Sequence, residues 1–157
     1  MTLLAPLTPA EFGDYKATSI PMYAREKVSA GEWAEADALR LARDGFDSLL
    51  PNGLGTPENH LFGLRETADG PLLGVLWFAI RQRASDRIAY VYEIVIDPQF
   101  QRRGHASRAF SALEDKVRDM GLSGIALHVF GHNTGARALY ESLGYQATNI
   151  TMFKPVG

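Results

Sequence analysis

Three features of this 157-residue chain could do chemistry. The first is Gln101-Arg102-Arg103-Gly104-His105-Ala106, which follows the apolar run Ile94-Val95-Ile96 and reads as a strand, a donor-rich turn and the first turn of a helix. A helix beginning at about Arg102 leaves its first backbone N–H groups without acceptors and points the positive end of its dipole at the turn, a setting that suits an anion such as phosphate. Gly104 and Ala106 are small enough to let oxygens reach the backbone, Gln101 offers an amide, and Arg102 and Arg103 offer charge. The same residues also read as an ordinary strand-to-helix connection with a solvated basic turn, and the fragment by itself does not choose. The second feature is Glu93, a carboxylate amid apolar strand residues, where burial is costly without a purpose or a partner. Pairing with an arginine is its alternative reading. The third is His128, whose imidazole titrates near neutrality and suits a proton relay, or which is simply a hydrogen-bonded strand residue.

The elements that must position these groups follow from periodicity and punctuation. Thr8-Pro9-Ala10-Glu11 is a capping box with Pro at the first helical position and Leu7 placed as a staple, so a helix starts here. Pro21 is expected to interrupt it, with a resumed segment from Met22 to about Val28 ended by Ala30-Gly31. Leu39, Ala42, Phe46 and Leu49 recur at three- and four-residue spacing and predict a second helix over about 35–50, stopped by Pro51-Asn52-Gly53. Residues 60–65 read as a strand, Asp69-Gly70 as a hairpin turn, and 72–80 as a strand buried on both faces. Residues 81–87 form a polar hairpin loop, and 89–96 form the strand that feeds the junction. The helix from Arg102 carries Ala106, Ala109, Phe110, Leu113, Val117 and Met120 on one face and ends at Gly121. A strand over 125–130 closes a strand-helix-strand crossover, so it should run parallel to 89–96. Residues 131–134 loop into a helix with Ala136, Leu139 and Leu143 facing inward and Gly144 at its end. Residues 145–154 are expected to form a final strand region. One domain spanning 1–157 is the natural division at this length.

Composition excludes several classes of function. A net charge of −2 gives no basic surplus for nucleic acid. The absence of cysteine removes disulfides, zinc-thiolate sites and a thiol nucleophile together, so any group transfer is direct or uses another nucleophile. No metal site is expected. Residues 1–6 lack the charged segment and long apolar core of a signal peptide, and no run approaches the roughly 20 apolar residues of a membrane span. A cytoplasmic protein with no membrane partner is the expectation. No Gly-x-Gly-x-x-Gly follows an early strand, which argues against a dinucleotide-binding oxidoreductase.

The order of elements, together with two motifs, resembles the GCN5-related N-acetyltransferase (GNAT) superfamily. Gln101-Arg102-Arg103-Gly104-His105-Ala106 is similar to that family's Gln/Arg-x-x-Gly-x-Gly/Ala signature, with Ala106 where Gly is commoner. Leu127-His128-Val129 with Asn133 and the run from Ala136 through Tyr140 to Gly144-Tyr145 is similar to its second signature. The resemblance covers the chain from about Leu61, while Tyr23-Ala24-Arg25-Glu26-Lys27 and Leu49-Leu50-Pro51-Asn52-Gly53-Leu54 resemble a group of bacterial members. It implies an α/β fold (α+β by some schemes): a mixed, mostly antiparallel sheet of six to seven strands with helices on both faces and a splayed central parallel pair. It also implies acetyl-CoA as donor, with CoA as product, the pyrophosphate resting on the amides of Arg102, Arg103, Gly104, His105, Ala106 and Ser107 beside Gln101. The pantetheine would run along Ile94, Val95 and Ile96, with Asn133, Ala136, Arg137 and Tyr140 bordering the donor.

The implied activity is direct, base-assisted N-acetyl transfer to a primary amine, small-molecule or peptide, in a ternary complex. A lysine-like amine is only about one part in 10³ neutral near pH 7, so a proton must be taken up. The resemblance gives Tyr140 as the acid for the departing thiolate, and its spacing from Asn133 and Arg137 puts all three on a shared helical face. Either His128 or Glu93 would be the base. A non-catalytic acyl-CoA-binding sensor or interaction module on the same fold is the competing function. Monomer and homodimer are both compatible with the sequence.

Overall fold

The computed structural model describes residues 2–157; Met1, the first residue of the N-terminal stretch considered above, lies outside them. The chain runs β1 (Leu3–Pro6), α1 (Pro9–Ser29), α2 (Glu35–Leu49), β2 (Asn59–Arg65), β3 (Gly74–Arg83), β4 (Asp86–Ile96), α3 (His105–Asp119), β5 (Ile125–Leu127) and α4 (Thr134–Ser142). The strands form one five-stranded sheet in the order β1-β2-β3-β4-β5, antiparallel throughout except for the parallel β4–β5 pair. No helix among the described residues is long and apolar enough to cross a membrane.

Alternation along the central strands sends apolar side chains to both faces. Phe62, Leu64, Leu76, Phe78 and Val91 pack with Ala109, Phe110, Leu113 and Val117 of α3. On the other face Leu61, Val75 and Trp77 pack with Leu7, Tyr15, Phe46 and Leu50 from the α1–α2 layer. Each fully buried Phe or Leu contributes about 1.5–3 kcal/mol, so the two layers fix where the sheet edge and helix ends can stand.

The capping box forms as expected: the Thr8 hydroxyl accepts from the Glu11 N–H at 3.2 Å, and the Glu11 carboxylate accepts from the Thr8 N–H at 3.0 Å. Thr8→Ala should cost about 1 kcal/mol, read in thermal unfolding as a fall of roughly 2–4 °C. An unchanged midpoint would mean that the cap carries no stability.

Several expectations are corrected. Helix α1 continues through Pro21; proline removes one N–H from the ladder, and packing of Ile20 and Ala24 on both sides of it holds the helix together. A four-residue strand, β1, precedes α1 and was not anticipated. The 81–87 loop shrinks to a tight turn between Arg83 and Asp86, with Ala84 at φ 52°. Helix α3 starts at His105 rather than Arg102, because Arg102 (φ 63°) and Gly104 (φ 79°) are both left-handed and cannot continue into a right-handed turn. Strand β5 stops at Leu127 instead of Phe130. No strand forms over 145–154: this segment finds no ladder partner, and Ile150, Met152, Phe153 and Val156 stay 67%, 86%, 89% and 94% exposed. The sheet therefore has five strands where six to seven were expected, within the expected class of fold.

Candidate active site

Strand β4 carries the candidate site, which lies at a break in the strand's pairing. On one side it pairs with β3, but the register shifts so that Phe78 faces Val91 while Trp77 faces Glu93, leaving Tyr92 as a bulged residue. Bulges bend and twist the strand that holds them. On the other side the parallel pairing runs only from Ala89↔Ile125 to Val91↔Leu127. Strand β4 continues to Ile96 while β5 ends, so the two diverge just where the bulge sits. Ile94, Val95 and Ile96 are thus paired to β3 alone among the described residues, and one edge of backbone stands open.

Below this edge the chain enters the turn. The Gln101 amide donates to the Ile96 carbonyl at 2.9 Å, so it closes the strand-to-turn corner instead of standing free. Arg102 and Arg103 are exposed. The first bond of α3 runs from the Arg108 N–H to the Gly104 carbonyl at 3.1 Å, so the amides of His105, Ala106 and Ser107 have no acceptor within the helix. No side chain caps that end. A Cβ on Gly104 would lie 2.8 Å from the Arg108 guanidinium, and the φ of 79° disfavours any other residue. The His105 ring points inward, 3% exposed, next to Arg108 at 3.0 Å from Nδ1 and to Glu66 at 3.6 Å from Nε2. Only the backbone of His105 therefore faces the turn. The sequence places Arg108 only as one of several charges off the apolar face of this helix, with no sign of its packing on Gly104 and His105.

Glu93 stands two residues past the last β4–β5 pair. Its Oε1 accepts from the Tyr15 hydroxyl and, at 2.8 Å, from the Ser19 hydroxyl, both on α1. Burial pushes its carboxyl above the ordinary range, the two hydroxyls pull it back, and the charge of Glu26 adds to the rise. Tyr15 is held well above the usual phenol value by burial and by Glu93. Tyr140 on α4 is raised by burial first and by the Glu93 charge second, which brings α4 and β4 into one electrostatic neighbourhood. The Tyr140 ring meets Phe110 and Tyr145 edge-on at 5.5 and 5.9 Å. Glu93 has no arginine partner among the described residues, so the alternative reading of it fails.

The remaining residues take plainer places. His128 lies just beyond β5, exposed, with its ring edge-on to Phe130 at 4.9 Å. Asn133 is the N-cap of α4 and accepts from the Ala136 N–H at 3.2 Å. Arg137 pairs with Glu141 one turn on at 2.9 Å. Helix α1 reaches the start of α4 through Glu26, 2.6 Å from His132. Lys27 beside it sits over the rings of Tyr23, Trp33 and Phe130 at 5.4–5.8 Å. Tyr15, which the sequence offers only as one of the N-terminal aromatics that are mostly core with a few lining a cleft, and Ser19, which it does not single out, belong to the carboxylate's surroundings. Their one signal was a hydroxyl pair at i, i+4 on a helix face that buries its side chains.

The chain that carries this arrangement is similar to known proteins over nearly its whole length. Residues 23–145 match the Acetyltransferase (GNAT) family. The N-acetyltransferase YycN of Bacillus subtilis, itself uncharacterised, is 37% identical over 152 residues, 97% of each chain. A crystal structure of YycN superposes with a TM-score of 0.94 at 36% identity, covering 99% of both chains. The ribosomal protein bS18-alanine N-acetyltransferase of Salmonella typhimurium is 35% identical over 96 residues, 61% of this chain and 62% of that one. With the family match reaching from α1 through α4 and a relative alike from end to end, this chain belongs to the GNAT family of acetyltransferases.

Proposed function

We propose that this acetyltransferase moves the acetyl group of acetyl-CoA directly to a primary amine, with Glu93 as the base and Tyr140 as the acid. The observation that carries this reading is Glu93 itself: a half-buried carboxylate clasped by two hydroxyls, without a cationic partner among the described residues, next to the break in β4–β5 pairing, its charge acting on the Tyr140 phenol. His128, exposed and outside the strand, is the weaker choice.

The chain's residues fit the donor. Free amides of His105, Ala106 and Ser107 at the uncapped start of α3, beside left-handed Gly104 and exposed Arg102 and Arg103, suit a pyrophosphate. The open edge of Ile94, Val95 and Ile96 suits an extended amide chain. Bound there, acetyl-CoA supplies an acetyl group activated as a thioester. Asn133, Ala136 and Arg137 open the helix that carries Tyr140, and their own hydrogen bonds make their part chiefly the placement of that helix.

Glu93 accepts the proton that an ammonium must shed before its nitrogen can form the new C–N bond. The C–S bond then breaks; Tyr140 gives its proton to the departing sulfur, and the phenolate so formed takes the second proton that the nitrogen sheds in becoming an amide. Because burial raises the Glu93 carboxyl, its basic form gives way to the acid form above the ordinary carboxylate range, so the acid limb of the rate profile should lie above about pH 4.3.

Calorimetric titration with acetyl-CoA should give one site per chain. A panel of amines, including peptides with N-terminal alanine as in the bS18-directed relative, should then release thiol above the hydrolysis background for at least one member. One-site binding with no acceptor-dependent release across the panel would instead support a binding module and would sink the transfer reading.

A further inference from the structure

Glu93 has two carboxylate oxygens, and the fold treats them differently. Tyr15 and Ser19 lie four residues apart on α1, one turn along the same face, and both hydroxyls converge on Oε1. Neither is placed there by the strand that carries Glu93: the contacts join positions 78 and 74 residues apart in the chain. Ser19 is 1% exposed and Tyr15 5% exposed, so no water competes for these donors from the α1 side. The Tyr15 ring is wedged against Phe46 of α2 at 6.3 Å between centroids, and Phe46 in turn meets Trp77, the cross-strand partner of Glu93, at 5.4 Å. The donors are therefore locked by packing before any substrate arrives, which is the condition for positioning a catalytic group.

A serine buried this deeply within a helix would ordinarily return its hydroxyl to a carbonyl of the preceding turn. Ser19 does not; it spends its proton on Glu93. Tyr15 does the same. We propose that Tyr15 and Ser19 are positioning residues that pin Oε1 of Glu93 and so present Oε2, with its lone pairs unused by the protein, to the acceptor amine. This rests on Glu93 being the base of the transfer. The gain is geometric, since a carboxylate free to rotate would offer either oxygen in a range of directions, whereas one clasped at Oε1 offers a single oxygen in a fixed direction. It is also electrostatic, because hydrogen bonds donated to a carboxylate favour its charged, proton-accepting form.

The other ionisable groups that bear on Glu93 are Glu26 on α1 and Tyr140 on α4, with Trp77 opposite on β3 contributing no charge. Glu26 is engaged with His132, and Tyr140 keeps its proton at neutral pH, so neither supplies the donors that Tyr15 and Ser19 supply.

The test compares Tyr15→Phe, Ser19→Ala and Glu93→Gln with the wild-type chain, following acetyl-CoA-dependent thiol release with an accepted amine across pH. Tyr15→Phe keeps the ring and its packing; Ser19→Ala keeps the helix. Both should leave acetyl-CoA affinity in place, lower the turnover plateau by about 10-fold, and move the acid limb upward by roughly one pH unit, because the carboxylate loses a donor to its charged form. In Glu93→Gln the acid limb should vanish along with most of the turnover. If Tyr15→Phe and Ser19→Ala keep the wild-type limb and plateau while Glu93→Gln is inactive, Glu93 is the base and the positioning role is overturned. A Glu93→Gln variant with the wild-type limb and rate would remove the base assignment on which the positioning role stands.

Discussion

Tyr140→Phe is expected to lower the rate of acetyl transfer by about 10² while acetyl-CoA affinity and the unfolding midpoint stay where they are. The ring that remains keeps the edge-on contacts with Phe110 and Tyr145, so the packing of α4 is preserved and only the hydroxyl is lost. The loss falls at the lower end of the range for a general acid because the phenol starts as a weak one. Burial and the negative charge of Glu93 hold it above its ordinary value, which keeps it protonated at neutral pH but reluctant to give the proton up. In the proposed mechanism the two residues act in sequence: once Glu93 has taken the proton of the amine, its charge would no longer oppose ionisation of Tyr140, so uptake at one group would ease release at the other. Single-turnover thiol release beside an equilibrium titration of acetyl-CoA checks this, and a rate within twofold of wild type would take Tyr140 out of the proton path.

How much of this was legible beforehand depended on how local the physics is. The capping box at Thr8 and Glu11, the bounds of α2 and the Gly121 stop are decided within one or two turns, and they stand where the spacing put them. The stripe of α2 is corrected: Ala38, Ala42 and Phe46 are buried, and Leu39 and Leu49 are exposed because the tertiary packing selects a slightly rotated face. Pro21 is also local, yet its local penalty lost to the packing of Ile20 and Ala24 against α2, which no window of sequence contains. The start of α3 was misplaced by three residues because a left-handed Arg102 cannot be read from its side chain; only Gly104 announced the turn. The end of β5 was misjudged because it depends on the bulge at Tyr92 in another strand, a property of the β3–β4 register. The 145–154 segment alternates well enough for a strand, but a strand requires a partner edge, and alternation does not supply one.

The site divided along the same line. Glu93 was legible because a carboxylate in an apolar strand is costly anywhere, and Gln101 to Ser107 because a helix start lacks acceptors by construction. Which side chains face the opening was not. His105 turns into the core, Gln101 turns back on Ile96, and Arg137 turns along its helix to Glu141. The clasp by Tyr15 and Ser19 joins an early helix to a central strand and needs the tertiary fold to be seen at all.

Gly74→Ala should be the most damaging single-methyl change in the sheet, costing about 2–4 kcal/mol and lowering the unfolding midpoint by roughly 5–15 °C. Gly74 opens β3 and faces Ile96 across the ladder, and a Cβ there would lie 2.2 Å from the Val95 carbonyl oxygen and 3.1 Å from the Ile96 Cα. Those atoms are backbone, so no rotamer relieves the overlap; β4 itself must move. Gly63 on β2 gives the contrast. The three atoms nearest a Cβ at that position are all in side chains, of Leu72 at 2.7 Å, Arg65 at 3.1 Å and Leu7 at 3.3 Å, which can shift at smaller cost. The stretch that Gly74 holds close is also the stretch proposed to line the donor, and it leads straight into the turn before α3. Pushing Val95 and Ile96 away from β3 should therefore weaken acetyl-CoA binding in whatever fraction stays folded, whereas Gly63→Ala should leave that affinity alone. Thermal unfolding of the two variants with and without acetyl-CoA separates these effects. A Gly74→Ala midpoint within about 2 °C of wild type would show that β4 yields freely at this point, and that close backbone approach does not set the geometry of the open edge.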